Sequence, residues 1–281
     1  MTLDLDPDFR PFPGLPQLSF STFTFPGGEI HFKLTASVNE SNKVIITHRV
    51  INFKAMGEIL LASDALRRAG VKCLELFIPY FPGARQDRVM VPGEPLTVKV
   101  MADMLNAVGF DKITVFDPHS DVTPAVLNNC VVTDNHAFIA QCAAMLPANM
   151  LLVSPDGGGL KKIYKLGQFL KNYDVVECSK SRNVQTGAIS NFTVYKDDLQ
   201  GRPCLIVDDI CDGGGTFLGL AKELKAKNAG PLYLAVSHGI FSHGFEALFQ
   251  VFDKIFTTNS FTDHPQHPSL LQLPLEDSVL F

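Results

Sequence analysis

The sequence is most informative first in what it lacks. Its 281 residues contain no uninterrupted apolar stretch long enough to cross a bilayer, so no membrane-spanning helix is expected. There is no excess of basic charge. Lys and Arg total 24 against 29 Asp and Glu, a net charge of −5, which argues against nonspecific nucleic-acid binding. No CxxC pair occurs among the six cysteines (73, 130, 142, 178, 204 and 211), so neither a zinc ribbon nor a dithiol redox motif is expected, and buried thiols in a reducing compartment are the plain reading. Cys211 lies in an acidic Gly-rich stretch, where neighbouring carboxylates oppose thiolate formation, so packing is expected there as well. Short-period repeats and low-complexity tracts are absent. The opening residues, MTLDLDPDFRPFPG, are acidic and Pro-rich and do not read as a secretory leader.

What is present is an ordinary globular composition, 46 % hydrophobic and 19 % charged, and an alternation of short apolar runs with amphipathic segments. Strands are predicted at 44–47, 73–78, 113–116, 151–153, 205–207, 232–236 and 254–257. Helices are predicted at 55–69, 97–108, 161–170 and 217–227. Strand-then-helix alternation implies parallel sheets covered by helices on both faces. The count exceeds one compact sheet, so two α/β domains are expected, 1–146 and 147–281, joined near Pro147. The Pro-rich end, 263–281, reads as too short and interrupted for a further α/β unit.

The stretch 205–216 (LIVDDICDGGGT) places carboxylates, three glycines and a threonine between a buried strand and a helix. Open α/β sheets bind ligands at that end of a strand. Gly213, Gly214 and Gly215 let backbone amides converge on a phosphate, and the helix terminus adds unpaired N–H donors. Asp208 and Asp209 would repel that phosphate and need another partner, either ribose hydroxyls or hydrated Mg²⁺. A ribose 5-phosphate supplies both needs. The second Gly-rich loop, 154–161 (SPDGGGLK), has Asp156 placed for a metal or a ribose hydroxyl, with an Asp-Gly turn as the bland reading. A third segment, 78–88 (IPYFPGARQDR), carries Arg85 and Arg88 after a Pro/Gly turn. Guanidinium groups suit phosphates, and Gln86 suits an adenine edge.

The 205–216 stretch resembles the phosphoribosyl-pyrophosphate motif of type I phosphoribosyltransferases, with Gly213 where a small or hydroxylic residue is usual. PYFPGARQDR resembles the ATP-binding segment of the ribose-phosphate pyrophosphokinase family, which ordinary phosphoribosyltransferases lack, and the likeness extends over most of the chain. It implies two type I phosphoribosyltransferase-like α/β domains, each a mostly parallel sheet flanked by helices. It also implies Mg²⁺-dependent transfer of diphosphate from ATP to O1 of D-ribose 5-phosphate, giving 5-phospho-α-D-ribose 1-diphosphate and AMP for nucleotide and NAD biosynthesis. ATP would be bound by Phe25, Glu29, Arg85, Gln86, Asp87 and His119. Phe25 and Glu29 belong to 25–29 (FPGGE), which resembles a loop that reaches a neighbouring subunit's ATP site, so at least a homodimer is implied. His119, in Asp117-Pro-His119, and Asp156 would position metal. Lys180 and Arg182, in SKSR, resemble the closing catalytic loop and are implied as catalytic with His119. Asp208, Asp209 and 212–216, including Asp212 and Thr216, would hold ribose 5-phosphate. The stretches 237–242 (SHGIFS) and 257–260 (TTNS) also match at the expected order.

Three departures carry expectations of their own. Gly27 replaces a polar residue, which removes one adenine contact. The stretch 89–94 (VMVPGE) has no cation, with Gly93 in place of an arginine, so a phosphate and ADP regulatory site is expected to be weak or absent. The last helix of longer family members is missing, so C-terminal subunit packing is expected to differ. A cytoplasmic location goes with this reading. A phosphoribosyltransferase and a catalytically silent regulatory subunit are the competing interpretations. The ATP-type segment opposes the first, and the retained Lys180, Arg182, His119 and Asp156 oppose the second.

Overall fold

The computed structural model describes residues 1–38, 43–171, 173–182 and 189–276, with only the backbone at 181, 182 and 189–191. The strands are β1 (Thr2–Asp4), β2 (Phe20–Thr24), β3 (Ile30–Leu34), β4 (Lys43–Thr47), β5 (Cys73–Ile78), β6 (Lys112–Phe116), β7 (Cys130–Thr133), β8 (Leu151–Ser154), β9 (Val175–Arg182), β10 (Ile189–Val194), β11 (Cys204–Cys211), β12 (Leu232–Gly239), β13 (Lys254–Thr258) and β14 (Leu270–Leu273). The helices are α1 (Phe53–Arg68), α2 (Thr97–Asn106), α3 (Val122–Val126), α4 (His136–Ala144), α5 (Leu160–Leu170), α6 (Gly215–Ala226) and α7 (Glu246–Phe249).

The chain falls into two compact units. One is Met1–Asp134 with the chain from Leu275 onward, and the other is Asn135–Pro274. The sequence reading draws its line at 146/147. The structure groups α4 with the second unit and so divides the chain at 134/135, twelve residues before the line drawn at Pro147.

The first unit holds a five-stranded, all-parallel sheet in the order β1-β4-β5-β6-β7, so successive crossovers step in one direction from β4 onward. Val44, Ile46, Leu74, Leu76, Ile113 and Val115 alternate along its strands and are buried with the apolar side of α1. α1 forms as its spacing predicts. Met56, Ile59, Ala62 and Leu66 lie on one buried face. Asn52 caps its start, Oδ1 accepting the Ala55 N–H at 3.0 Å, while Arg67 and Arg68 meet the negative end of the helix dipole. A separate antiparallel hairpin, β2–β3, projects Phe23 and Phe25 into solvent.

The second unit holds a seven-stranded sheet, β10-β9-β8-β11-β12-β13-β14, parallel except for the β9–β10 ribbon. From β8 the chain steps to β9 and β10 on one side, and from β11 it steps to β12, β13 and β14 on the other. The order therefore reverses between β8 and β11, where the loops leaving the strand ends diverge and open a crevice. β11 is longer than its apolar run predicts. Pairing with β12 continues through Ile210↔His238 and Cys211↔Gly239, so Asp208 and Asp209 lie within the strand and not past it. The Pro-rich end adds one strand, β14, to the sheet edge. All six cysteines are free thiols. Burial pushes Cys130 and Cys204 up to about 11, and pushes Cys211, beside Asp208 and Asp212, higher still, in agreement with the packing role expected for it.

Candidate active site

The reversal between β8 and β11 sets the first cluster. Asp156 follows β8, and Asp208 and Asp209 lie in the second half of β11. Lys180 reaches Asp156 from β9, Nζ to Oδ2 at 2.6 Å, with both side chains largely buried. The other Asp156 oxygen accepts the Gly159 N–H at 3.1 Å. Burial works to raise the Asp156 carboxyl, but the Lys180 hydrogen bond and charge, with the Gly159 and Gly158 amides, outweigh it and hold the group below the ordinary range. Asp208 goes the other way. Burial, then the charges of Asp209 and Asp156, hold it well above the ordinary carboxylate range, with Lys180 opposing. The Asp209 N–H donates to Asp208 Oδ1 at 2.9 Å, which orients the Asp208 carboxylate.

Asp156 and Asp208 thus share one lysine, with Asp209 adding a further charge beside them. A cation or a diol with two hydroxyl donors would relieve that excess of negative charge. Among the described residues no group of three or more His, Cys, Asp and Glu is arranged to hold a metal by itself. This donor set still fits Mg²⁺, which keeps waters and takes one or two carboxylates together with phosphate oxygens.

The glycine loop follows at once. Gly214 adopts φ +80°, a conformation that side chains resist, and it caps α6 without any side-chain hydrogen bond. Gly215 is exposed and Thr216 is in the first turn, so the first amides of a twelve-residue helix face outward as an anion site. Asp212 is held by Ser242, whose Oγ donates to Oδ1 at 2.6 Å. Ser242 is a contact the sequence reading misses. It lies thirty residues away, within a motif that carries no role there, and only the β11–β12 pairing brings it back. The matched stretches 237–242 and 257–260 meet beneath the loop as a buried polar network. In it His238 Nδ1 and Ser260 Oγ lie 2.7 Å apart, and Thr258 Oγ1 donates to the Ser237 carbonyl at 2.6 Å.

The first unit presents a different edge. Arg85, Gln86, Asp87 and Arg88 follow β5, and His119 follows β6 by three residues, past Asp117, a buried residue at φ +36°. Asp87 is buried and faces exposed Arg88, Nε to Oδ1 at 2.9 Å. The Arg88 hydrogen bond holds Asp87 below the ordinary range despite its burial, assisted by Ser120 and the nearby His119 charge. Asp87 therefore orients a guanidinium. Gln86 Oε1 accepts from Thr97 Oγ1, which leaves its amide N–H₂ to donate. Phe25 and Glu29 are exposed at the hairpin tip, where the Phe25 N–H donates to the Glu29 carbonyl at 2.8 Å. Phe23 stacks on His31 with centroids 4.7 Å apart and supports Phe25 edge-on at 4.8 Å. Arg182 ends β9, and its side chain lies outside the described residues.

The predicted residues thus form two groups. Asp156, Lys180, Asp208, Asp209 and 212–216 share the crevice edge of the second sheet. Arg85, Gln86, Asp87 and His119 share the strand-end edge of the first, with Phe25 and Glu29 on the hairpin.

A family model described as the N-terminal domain of ribose phosphate pyrophosphokinase matches residues 13–109. The ribose-phosphate pyrophosphokinase of Mycoplasma pneumoniae is 31% identical over 272 residues, covering 91% of this chain and 82% of that protein. That of Shewanella oneidensis is 33% identical over 223 residues, covering 78% and 70%. Among solved structures, the phosphoribosylpyrophosphate synthetase from Mycobacterium smegmatis has the same fold, with a TM-score of 0.83 and 24% identity over 98% of this chain and 94% of that one.

Proposed function

The chain belongs to the ribose-phosphate pyrophosphokinase family, and from that premise we propose that it transfers the intact diphosphate of ATP to O1 of ribose 5-phosphate. The anomeric oxygen attacks the β-phosphorus, the bond from that phosphorus to the α-phosphate oxygen breaks, and the products are 5-phosphoribosyl 1-diphosphate and AMP. The observation that carries this reading is the crevice cluster. Carboxylates for a diol, a lysine for phosphates and an open helix terminus for a further phosphate lie along one sheet edge.

Phosphoryl chemistry asks a protein mainly for alignment and neutralisation of charge. The amides of 213–216 and the Thr216 hydroxyl hold the 5-phosphate. Asp208 and Asp209 take the ribose hydroxyls and so set the direction of O1. Lys180, now paired with Asp156, offers its ammonium to the diphosphate as negative charge builds there. Arg182, on the adjoining segment, acts with it. In the first unit Arg88, steadied by Asp87, and Arg85 meet the ATP phosphates, Gln86 donates to the adenine edge, and His119 hydrogen-bonds or binds metal beside the phosphates. Mg²⁺ would neutralise phosphate oxygens when bound, with Asp156 offering a ligand in the second unit and His119 one in the first.

The exposed Phe25–Glu29 hairpin tip supports a homo-oligomer, at least a dimer, in which a neighbour's ATP site receives that tip. Among the described residues no helix is long and apolar enough to cross a membrane. From the family alone we place the enzyme in the cytoplasm. The test is AMP formation from Mg·ATP with and without ribose 5-phosphate, with phosphorus NMR of the sugar product. AMP that appears only with the sugar, together with an anomeric diphosphate signal, is expected. No AMP under any condition would sink the reading in favour of a silent subunit or a transferase.

A further inference from the structure

Gly213 is not a glycine for backbone reasons, since its φ is outside the left-handed region that the neighbouring Gly214 occupies. A side chain there would have to displace the ring of His243. A Cβ on Gly213 would stand 2.9 Å from His243 Nδ1 and 3.0 Å from Cε1. The imidazole fills the room a residue 213 side chain would take, beside the glycine loop.

The turn that carries it is fixed from below. The Ile240 and Phe241 N–H groups both donate to the Cys211 carbonyl, at 2.8 and 3.1 Å, and the Ser242 N–H donates to the Asp212 carbonyl at 3.2 Å. Ser242 Oγ adds its bond to the Asp212 carboxylate. Phe241 is buried against Phe245 and His264, which anchors the turn. The ring itself is exposed, and among the described residues no hydrogen bond or ion pair engages it. A turn stapled to the loop at four points thus carries an uncommitted imidazole beside it.

We propose that His243 is part of the phosphate subsite at 212–216, donating a ring N–H to the 5-phosphate of the sugar in place of a hydroxyl at position 213. The inference rests on the assignment of that loop to ribose 5-phosphate. A charge-assisted contact of this kind is worth about tenfold in affinity. His243→Ala should raise KM for ribose 5-phosphate about tenfold, lower kcat much less, and leave KM for ATP in place. An increase in KM for ATP instead would move the imidazole to the diphosphate and overturn the assignment. Gly213→Ser supplies the second arm. It should weaken ribose 5-phosphate binding beside His243, by displacing the ring, and restore it in the G213S/H243A double variant, where the serine hydroxyl replaces the imidazole. Equal effects of Gly213→Ser in both backgrounds would refute the proposal. Calorimetric titration of ribose 5-phosphate into wild type and His243→Ala decides the point even if no AMP is formed, so loss of the catalytic reading and loss of this one are separable.

Discussion

The two sheets of this chain share an architecture and differ in what they present at their strand ends. In the second, the strand order reverses between β8 and β11, and the diverging loops open a crevice lined by Asp156, Lys180, Asp208 and Asp209. In the first, the order runs one way from β4 to β7, no such reversal occurs, and Arg85, Gln86, Arg88 and His119 are exposed. The crevice provides backbone amides and part-buried carboxylates, which suit a small sugar phosphate held on several sides. The open edge provides long cationic side chains, which suit a larger, more polyanionic nucleotide. The lesson is that the crossover pattern, more than the fold class, decides whether recognition is built from backbone or from side chains.

The sharpest way to break this comparison is Lys180→Ala. If the crevice supplies charge stabilisation in the transition state, kcat should fall on the order of 10²- to 10³-fold while KM for ribose 5-phosphate changes little. A change confined to KM would make Lys180 a ground-state binder. Next comes Arg88→Ala on the open edge. KM for ATP should rise about tenfold with KM for ribose 5-phosphate unmoved, and steady-state kinetics with each substrate varied in turn would expose a mixed effect.

A smaller effect separates the two kinds of carboxylate by pH. Asp208 has a folded-state pKa above its ordinary 3.8, so the stability it contributes is complete below that value and lost as pH rises through the raised folded value. Asp156 is depressed, so its contribution is present above 3.8 and lost as pH falls. In thermal melts, Asp208→Asn should therefore gain on wild type as pH rises from 4 towards neutrality. Parallel curves would mean that neither burial nor the neighbouring carboxylates raise Asp208. The smallest effect is expected at Gly214→Ala, about 1–2 kcal/mol of stability from φ +80°, with a Cβ 3.2 Å from Leu248 Cδ2 adding to it. Denaturant titration reads it directly.

Much of this was legible in the residues. The spacing of Met56, Ile59 and Leu66 gives α1, the run 73–78 is β5 to the residue, and the glycines of 212–216 mark the start of α6. What stayed hidden depends on partners distant in sequence. β11 runs on to Cys211 because β12 pairs with it there. β14 is recruited by β13 despite its polar, Pro-rich surroundings. The Asp87–Arg88 pair is between neighbours, yet the sequence does not show that the carboxylate is buried and the guanidinium exposed. Ser242 and His243 reach the glycine loop across thirty residues, and no spacing rule encodes that approach.

β9 has a mechanical consequence. Its first residues, Val175, Val176 and Glu177, are registered with β8, whereas Cys178, Ser179 and Lys180 are registered with β10 alone. The strand is clamped at its root and carried beyond it by a two-stranded ribbon whose other strand rests on α6, with Lys180 near its outer part. Ribbons of two strands bend and twist more readily than sheets. Shifting the ammonium by an ångström therefore flexes an arm without breaking a ladder. Amide exchange should grade along β9, slow at Val176 and faster beyond Lys180, with the gradient flattening when phosphates load the arm.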